Sequence, residues 1–145
     1  MENMKVLFDR IIKQNNSELN PPVSKEVLDS FLRENKNGIA PSYLDLLSCF
    51  NGGEIFIPGT VVFGIGTHND VFAQNESLRV LLDVPRNYLI FAKLNFGDYV
   101  CVNNEKPYNV IQWDHENNEL FCEWDSIYEW LEELVIDFDR ELSEV

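Results

Sequence analysis

The feature that most constrains this chain is a change of hydrophobic period at residue 53. Before it, apolar residues recur at helical spacing. After it, short β-rich runs alternate with turn residues, and the C-terminal segment returns to helical spacing. Helices, then an antiparallel run of strands, then a closing helix is an α+β order and not βαβ alternation.

The helical part divides into three. From Met1 to Lys13 the stripe is Met4, Leu7, Phe8, Ile11 and Ile12, ended by a polar run and Pro21-Pro22. Ser24 can cap a second helix with the stripe Val27, Leu28, Phe31 and Leu32, stopped at Asn37-Gly38. Pro41 suits the first turn of a third, with Tyr43, Leu44, Leu47 and Phe50 on one side. Asn51-Gly52-Gly53 would end it through a left-handed cap. On this reading three helices precede any strand.

Strands follow over Glu54–Ile57 and Thr60–Ile65, separated by Pro58-Gly59. Val71 to Leu82 suggests a loop with a short helix. Tyr88–Leu94 and Asp98–Val102 flank Asn95-Phe96-Gly97 as one hairpin; Val110–Asp114 and Glu119–Trp124 form a second. Ser126 with Glu129 is a capping box for the last helix, whose stripe is Ile127, Trp130, Leu131, Leu134, Val135, Phe138 and Leu142. A chain of 145 residues fits one domain and, with 45% hydrophobic residues, can build a core despite a net charge of −14.

That charge, 25 Asp+Glu against 11 Lys+Arg, disfavours nucleic acid and anionic membranes as partners. It serves solubility or a basic protein partner. No segment approaches the ~18 apolar residues of a membrane span, and MENMKVLFDR carries charges where a leader needs an apolar run. Cys49, Cys101 and Cys122 are odd in number and lack a C-x-x-C pair, so the expectation is three reduced, mostly buried thiols in the cytoplasm.

Chemistry is hard to find. His68 and His115 lie in polar turns without zinc-helix spacing or a nearby cysteine, and are expected to be ordinary surface residues. Phe63-Gly64-Ile65-Gly66 lacks the third glycine of a dinucleotide loop and the Lys-Ser/Thr of a P-loop. No catalytic residue, metal or cofactor is expected. A pocket that set either histidine beside two carboxylates would favour an enzyme instead.

One pattern breaks a local rule. Glu129, Glu133, Asp137 and Glu141 recur every four residues, a like-charged ridge that costs the helix about 0.2–0.5 kcal/mol per pair. Asp137, Asp139, Glu141 and Glu144 crowd the negative end of the helix dipole, and Arg140 is the only Lys or Arg after Pro107. A solvated helix face can absorb such costs. The alternative is that the ridge, or the neighbouring hairpin acids Asp114, Glu116, Glu119 and Glu123, receives a basic partner. The partner-binding candidates are therefore Asp114, Glu116, Glu119, Glu123, Glu129, Glu133 and Asp137, with Trp113, Trp124 or Tyr128 as aromatic anchors if exposed and Trp130 assigned to the core.

The order of motifs resembles the SMI/KNR-type branch of the SUKH superfamily. The likeness is carried by Ile39-Ala40-Pro41-Ser42-Tyr43-Leu44-Asp45-Leu46-Leu47, Phe50-Asn51-Gly52-Gly53, Phe63-Gly64, Leu89-Ile90-Phe91-Ala92 with Gly97-Asp98-Tyr99, Asn109-Val110 through Asp114-His115-Glu116, and Ser126 to Leu131. It spans about Val27 to Leu134. Ala40 stands where the family has Leu, and Asn95-Phe96-Gly97 carries one glycine where it often has two. The resemblance implies helices packed around a curved, mostly antiparallel sheet. For bacterial members it implies immunity proteins that neutralise polymorphic or contact-dependent toxins, frequently nucleases; fungal relatives regulate cell-wall synthesis and signalling. It assigns no catalytic or contact residue. The resulting expectation is an intracellular immunity protein that occludes a toxin domain, with a regulatory or scaffold protein of the SMI/KNR type as the alternative, and with the oligomeric state open.

Overall fold

The computed structural model describes residues 2–35 and 38–143. In chain order its elements are α1 (Glu2–Gln14), β1 (Glu18–Leu19), α2 (Lys25–Glu34), α3 (Pro41–Cys49), β2 (Gly53–Ile55), β3 (Thr60–Val62), α4 (Val71–Leu78), β4 (Tyr88–Lys93), β5 (Tyr99–Asn103), β6 (Val110–Asp114), β7 (Glu119–Trp124) and α5 (Ile127–Ser143). The seven strands form one sheet whose spatial order is the chain order, β1 to β7. Every neighbouring pair is antiparallel. The fold is α+β, with α5 closing it, as the period change predicts.

The helices form where capping and burial agree. Ser24 Oγ accepts from Val27 N at 3.2 Å to start α2, and Ser126 Oγ accepts from Glu129 N at 3.1 Å to start α5. In α1 the buried line is Met4, Leu7 and Ile11, one side of the helix, while Ile12 is exposed. Only Phe31 of the four apolar residues expected to anchor α2 is buried; Val27 and Leu32 are exposed. In α3, Leu46 takes the buried place expected of Leu44, beside Tyr43 and Leu47. α2 ends at Glu34, before the Asn37-Gly38 stop; Asn37, like Met1 and Glu144, lies outside the described residues.

Two expectations between residues 14 and 53 are corrected. A strand does precede α2: β1 pairs Glu18 with Glu54 and Leu19 with Gly53. Two residues are too few to show a period, so only the pairing reveals them. The glycines do not cap α3 either. Its last turn is followed by Phe50 in extended backbone, φ −156°. Gly53 is needed because β1 passes so close that a Cβ there would lie 2.2 Å from Glu18 O, at a φ of +132°.

The short helix expected between Val71 and Leu82 is α4, begun by Asp70 Oδ2 accepting from Ala73 N at 3.1 Å. Its polar Asn75 is buried because it imitates a strand. The amide donates to Ile90 O at 2.8 Å and accepts from Ile90 N at 2.9 Å, satisfying both main-chain groups of β4 at that point. Next to it β4 carries an extra residue, Phe91, between the pairs Ile90–Cys101 and Ala92–Val100. The bulged Phe91 meets Trp130 edge-on at 5.3 Å and Tyr43 at 5.9 Å. The buried Tyr43 hydroxyl donates to Phe63 O at 2.7 Å, which keeps it satisfied. α1, α3 and α5 contact one another, and α5 also contacts β7.

Candidate partner-binding surface

Burying Ile127, Trp130, Leu131 and Val135 turns the opposite side of α5 to solvent. Glu129, Glu133, Asp137 and Glu141 are all exposed there, one turn apart. The ridge is present, and two of the helix's acids, Asp139 beside the ridge and Glu133 within it, are met from outside the helix. Arg10 of α1 donates to Asp139 Oδ2 at 2.8 Å, and Gln14 donates to Asp139 Oδ1 at 3.1 Å. The cationic relief expected from Arg140 alone therefore comes chiefly from the other end of the chain; Arg140 reaches only 4.0 Å from Asp137. Glu133 in turn accepts from Trp124 Nε1 at 2.6 Å, which ties the ridge to the end of β7.

Beside the ridge run two adjoining hollows. The first, about 180 Å³, lies between α5 and the β4–β5 turn, walled by Trp124, Trp130, Leu134 and Phe96, with Glu133 and Asp137 at the helix side. The second, about 350 Å³, continues towards the helix C-terminus between Phe138 and the Ile57-Pro58-Gly59 turn, with Asp137 and Glu141 on its wall. Phe138 stacks on Phe56 at 3.9 Å beneath it. Glu133, Asp137 and Glu141 thus form one acidic wall along a groove with aromatic sides.

The hairpin acids do not join that wall. Asp114 accepts from Glu116 N at 2.9 Å, Asn117 N at 3.2 Å and the Asn117 amide at 2.9 Å, so its carboxylate holds the β6–β7 turn together. Those bonds, led by the Asn117 amide, hold its pKa below the usual carboxylate range. Glu116 and Glu119 are exposed at that turn, at the end of β7 remote from Trp124. Glu123 pairs with Ile111 while Trp124 pairs with Val110, so the pleat sends Glu123 and Trp124 to opposite faces. Glu123 also accepts from Asn109 at 2.6 Å. Of the seven candidates, only Glu133 and Asp137 line the groove, with Glu129 one turn before them. Among the anchors, Trp113 is buried and donates to Asn118 at 3.0 Å. Trp124 and Tyr128 are half-buried and Trp130 is core.

The histidines are not both bystanders. His115 is half-buried, and its Nδ1 lies 2.5 Å from Asp98 Oδ1. Asp98 is buried, and also accepts from Gln112 at 2.9 Å and from His115 N at 3.1 Å. Burial alone would raise its pKa, but the bonds from His115 and Gln112 more than offset this and hold it below the usual range. An ionised carboxylate only accepts, so Nδ1 carries the proton. The ring rests on Gly97, where a Cβ would come within 2.8 Å of it. The register shows why sequence reasoning missed this pair: Tyr99 faces Trp113, so the next residues outward, Asp98 and Asp114, share a level with His115 beside them. Asp98, Asp114 and His115 could gather around a cation, yet each carboxylate is already occupied by protein donors. His68 is exposed and borders a cavity of about 520 Å³ with Glu18 and Glu54 on its wall.

The thiols are free, and only Cys101 is fully buried; Cys49 and Cys122 are half-buried. Burial raises the pKa of all three, and for Cys122 the carboxylates of Glu133 and Asp98 add to it. No helix among the described residues is long and apolar enough to cross a membrane.

A model of the SMI1 / KNR4 family (SUKH-1) matches residues 22–133. The chain belongs to that family. The matched span runs from just before α2 to Glu133, and it holds the Asp98–His115 pair and the first half of the α5 ridge. Asp137, Glu141 and all of α1 lie outside the family match. No curated protein matches the chain significantly.

Proposed function

We propose that this SUKH-1 protein is an immunity protein that binds a cognate toxin domain in the cytoplasm and occludes its active site, acting by contact and without catalysis or cofactor. The observation that carries this reading is the acidic wall of Glu133, Asp137 and Glu141 beside an aromatic groove, in a chain of net charge −14. Carboxylates at this spacing offer a basic surface what a phosphate backbone offers it, so they would compete for the groove of a nuclease and accelerate encounter. The partner is a basic protein; nucleic acid and anionic membranes are repelled by the same charge.

The test is binding to the product of the adjacent gene, measured from low to high salt. A Kd that rises steeply with salt supports the reading. Tight binding that ignores salt sinks electrostatic mimicry, and an isolated locus with no binding product favours the regulatory role of the SMI/KNR type. A second reading, an enzyme of unrecognised type, draws on the Asp98–His115 pair, because an aspartate-oriented imidazole is an arrangement for proton transfer. Toxin protection that survives His115→Gln and His68→Gln removes that reading; loss of protection with the protein still folded and still bound to the toxin favours it.

A further inference from the structure

We infer that the hollow between α5 and the β4–β5 turn is an anchoring subsite for an arginine side chain presented by the protein partner. This rests on the binding function proposed above and assigns it a point of contact. The hollow is about 180 Å³, a volume suited to one side chain and not to a helix or a strand. Apart from Thr60 and Asn95 at its rim on the sheet side, its walls are of two kinds. Trp124, Trp130, Leu134 and Phe96 supply apolar and aromatic surface, and Glu133 and Asp137, one helical turn apart, supply two carboxylates at one side.

The geometry of these groups selects the occupant. An aliphatic or aromatic side chain would fill the apolar walls but would strip water from the carboxylates without pairing them, which is costly. An anion would meet both carboxylates directly. A cation with an apolar stem satisfies both kinds of wall, and the guanidinium does so better than an ammonium: it is planar, weakly hydrated, stacks on indole faces and donates along a fork matched to carboxylates. Glu133 is already oriented, since Trp124 Nε1 holds its Oε2 at 2.6 Å, and among the described residues no donor engages Oε1. Among the described residues the only cation paired with Asp137 is Arg140, at 4.0 Å, a distance a better donor displaces. Phe96, 62% exposed at the tip of its turn, can fold over the stem of an inserted side chain.

The probe is N-acetyl-arginine methylamide, titrated into the intact chain while the indole N–H resonances of Trp124 and Trp130 are followed by NMR. Saturable shifts of both, with a Kd on the order of millimolar, are expected. The neutral isostere N-acetyl-citrulline methylamide should bind about tenfold or more weakly, and so should arginine to the double variant Glu133→Gln, Asp137→Asn. Equal binding of citrulline, equal binding by the double variant, or shifts confined to residues away from the hollow would overturn the assignment. Both substitutions are isosteric and on the surface, so the fold is preserved. Failure of the subsite is separable from failure of the function: a toxin that still binds, loses affinity on charge reversal of the α5 ridge, yet ignores the double variant, leaves the function standing and removes the subsite.

Discussion

Asp98 shows what one residue can decide in this molecule. Its carboxylate joins the β4–β5 turn to the β6–β7 turn through His115, and Gln112 steadies it from the strand between. Because its folded pKa lies below the unfolded value, its contribution is present above about pH 4 and lost as pH falls through the folded pKa. Asp98→Asn should therefore cost about 1–3 kcal/mol at neutral pH and flatten the acid limb of the stability curve, read by denaturant melts across pH. Gly97→Ala should cost a similar amount, about 1–3 kcal/mol, from a φ of +106° and the clash with the imidazole. Adding His115→Ala to it would relieve the clash but not the backbone strain, so a double-mutant cycle should show partial rescue. None of this was legible in the chain, where Asp98 and His115 stand apart in two polar turns. Only strand register makes them neighbours.

Among the elements, legibility followed the strength of the local signal. α5 has a cap and a long apolar stripe, and β6 and β7 are bounded by a clear turn; their limits in the fold match the sequence reading. Ser126→Ala should accordingly lower stability by about 1 kcal/mol in thermal or denaturant unfolding, the usual loss of a side-chain cap. β1 was hidden because it is too short to carry a pattern. α4 falls where a short helix is expected within Val71 to Leu82, and its buried polar Asn75 is what blurs its limits in the sequence. The acidic ridge was visible from spacing alone, but the groove beside it was not, because its other walls come from residues 60, 94–96 and 124. The hairpin acids, the other candidate surface, share the ridge's charge but not its place: the pleat and the turn bonds set them apart.

At the scale of the whole molecule, charge and fold are largely independent. Reversing Glu129, Glu133, Asp137 and Glu141 to Lys removes like-charge neighbours on one helix face and replaces them with others, so the melting temperature should change little. Partner association should slow strongly and lose its salt dependence, as measured by stopped-flow or surface-binding kinetics. The chain-order sheet described above has a consequence in time. Strand neighbours in space are also successive strands along the chain, so each pairing asks for the closure of one connecting segment. The contact between Arg10 and Asp139 is different: it must bring together residues 129 positions apart. α1 should therefore settle onto α5 after the rate-limiting barrier has been crossed. Arg10→Ala, though worth no more than about 1 kcal/mol at equilibrium, should show that loss in the unfolding limb of the chevron and leave the folding limb where it was.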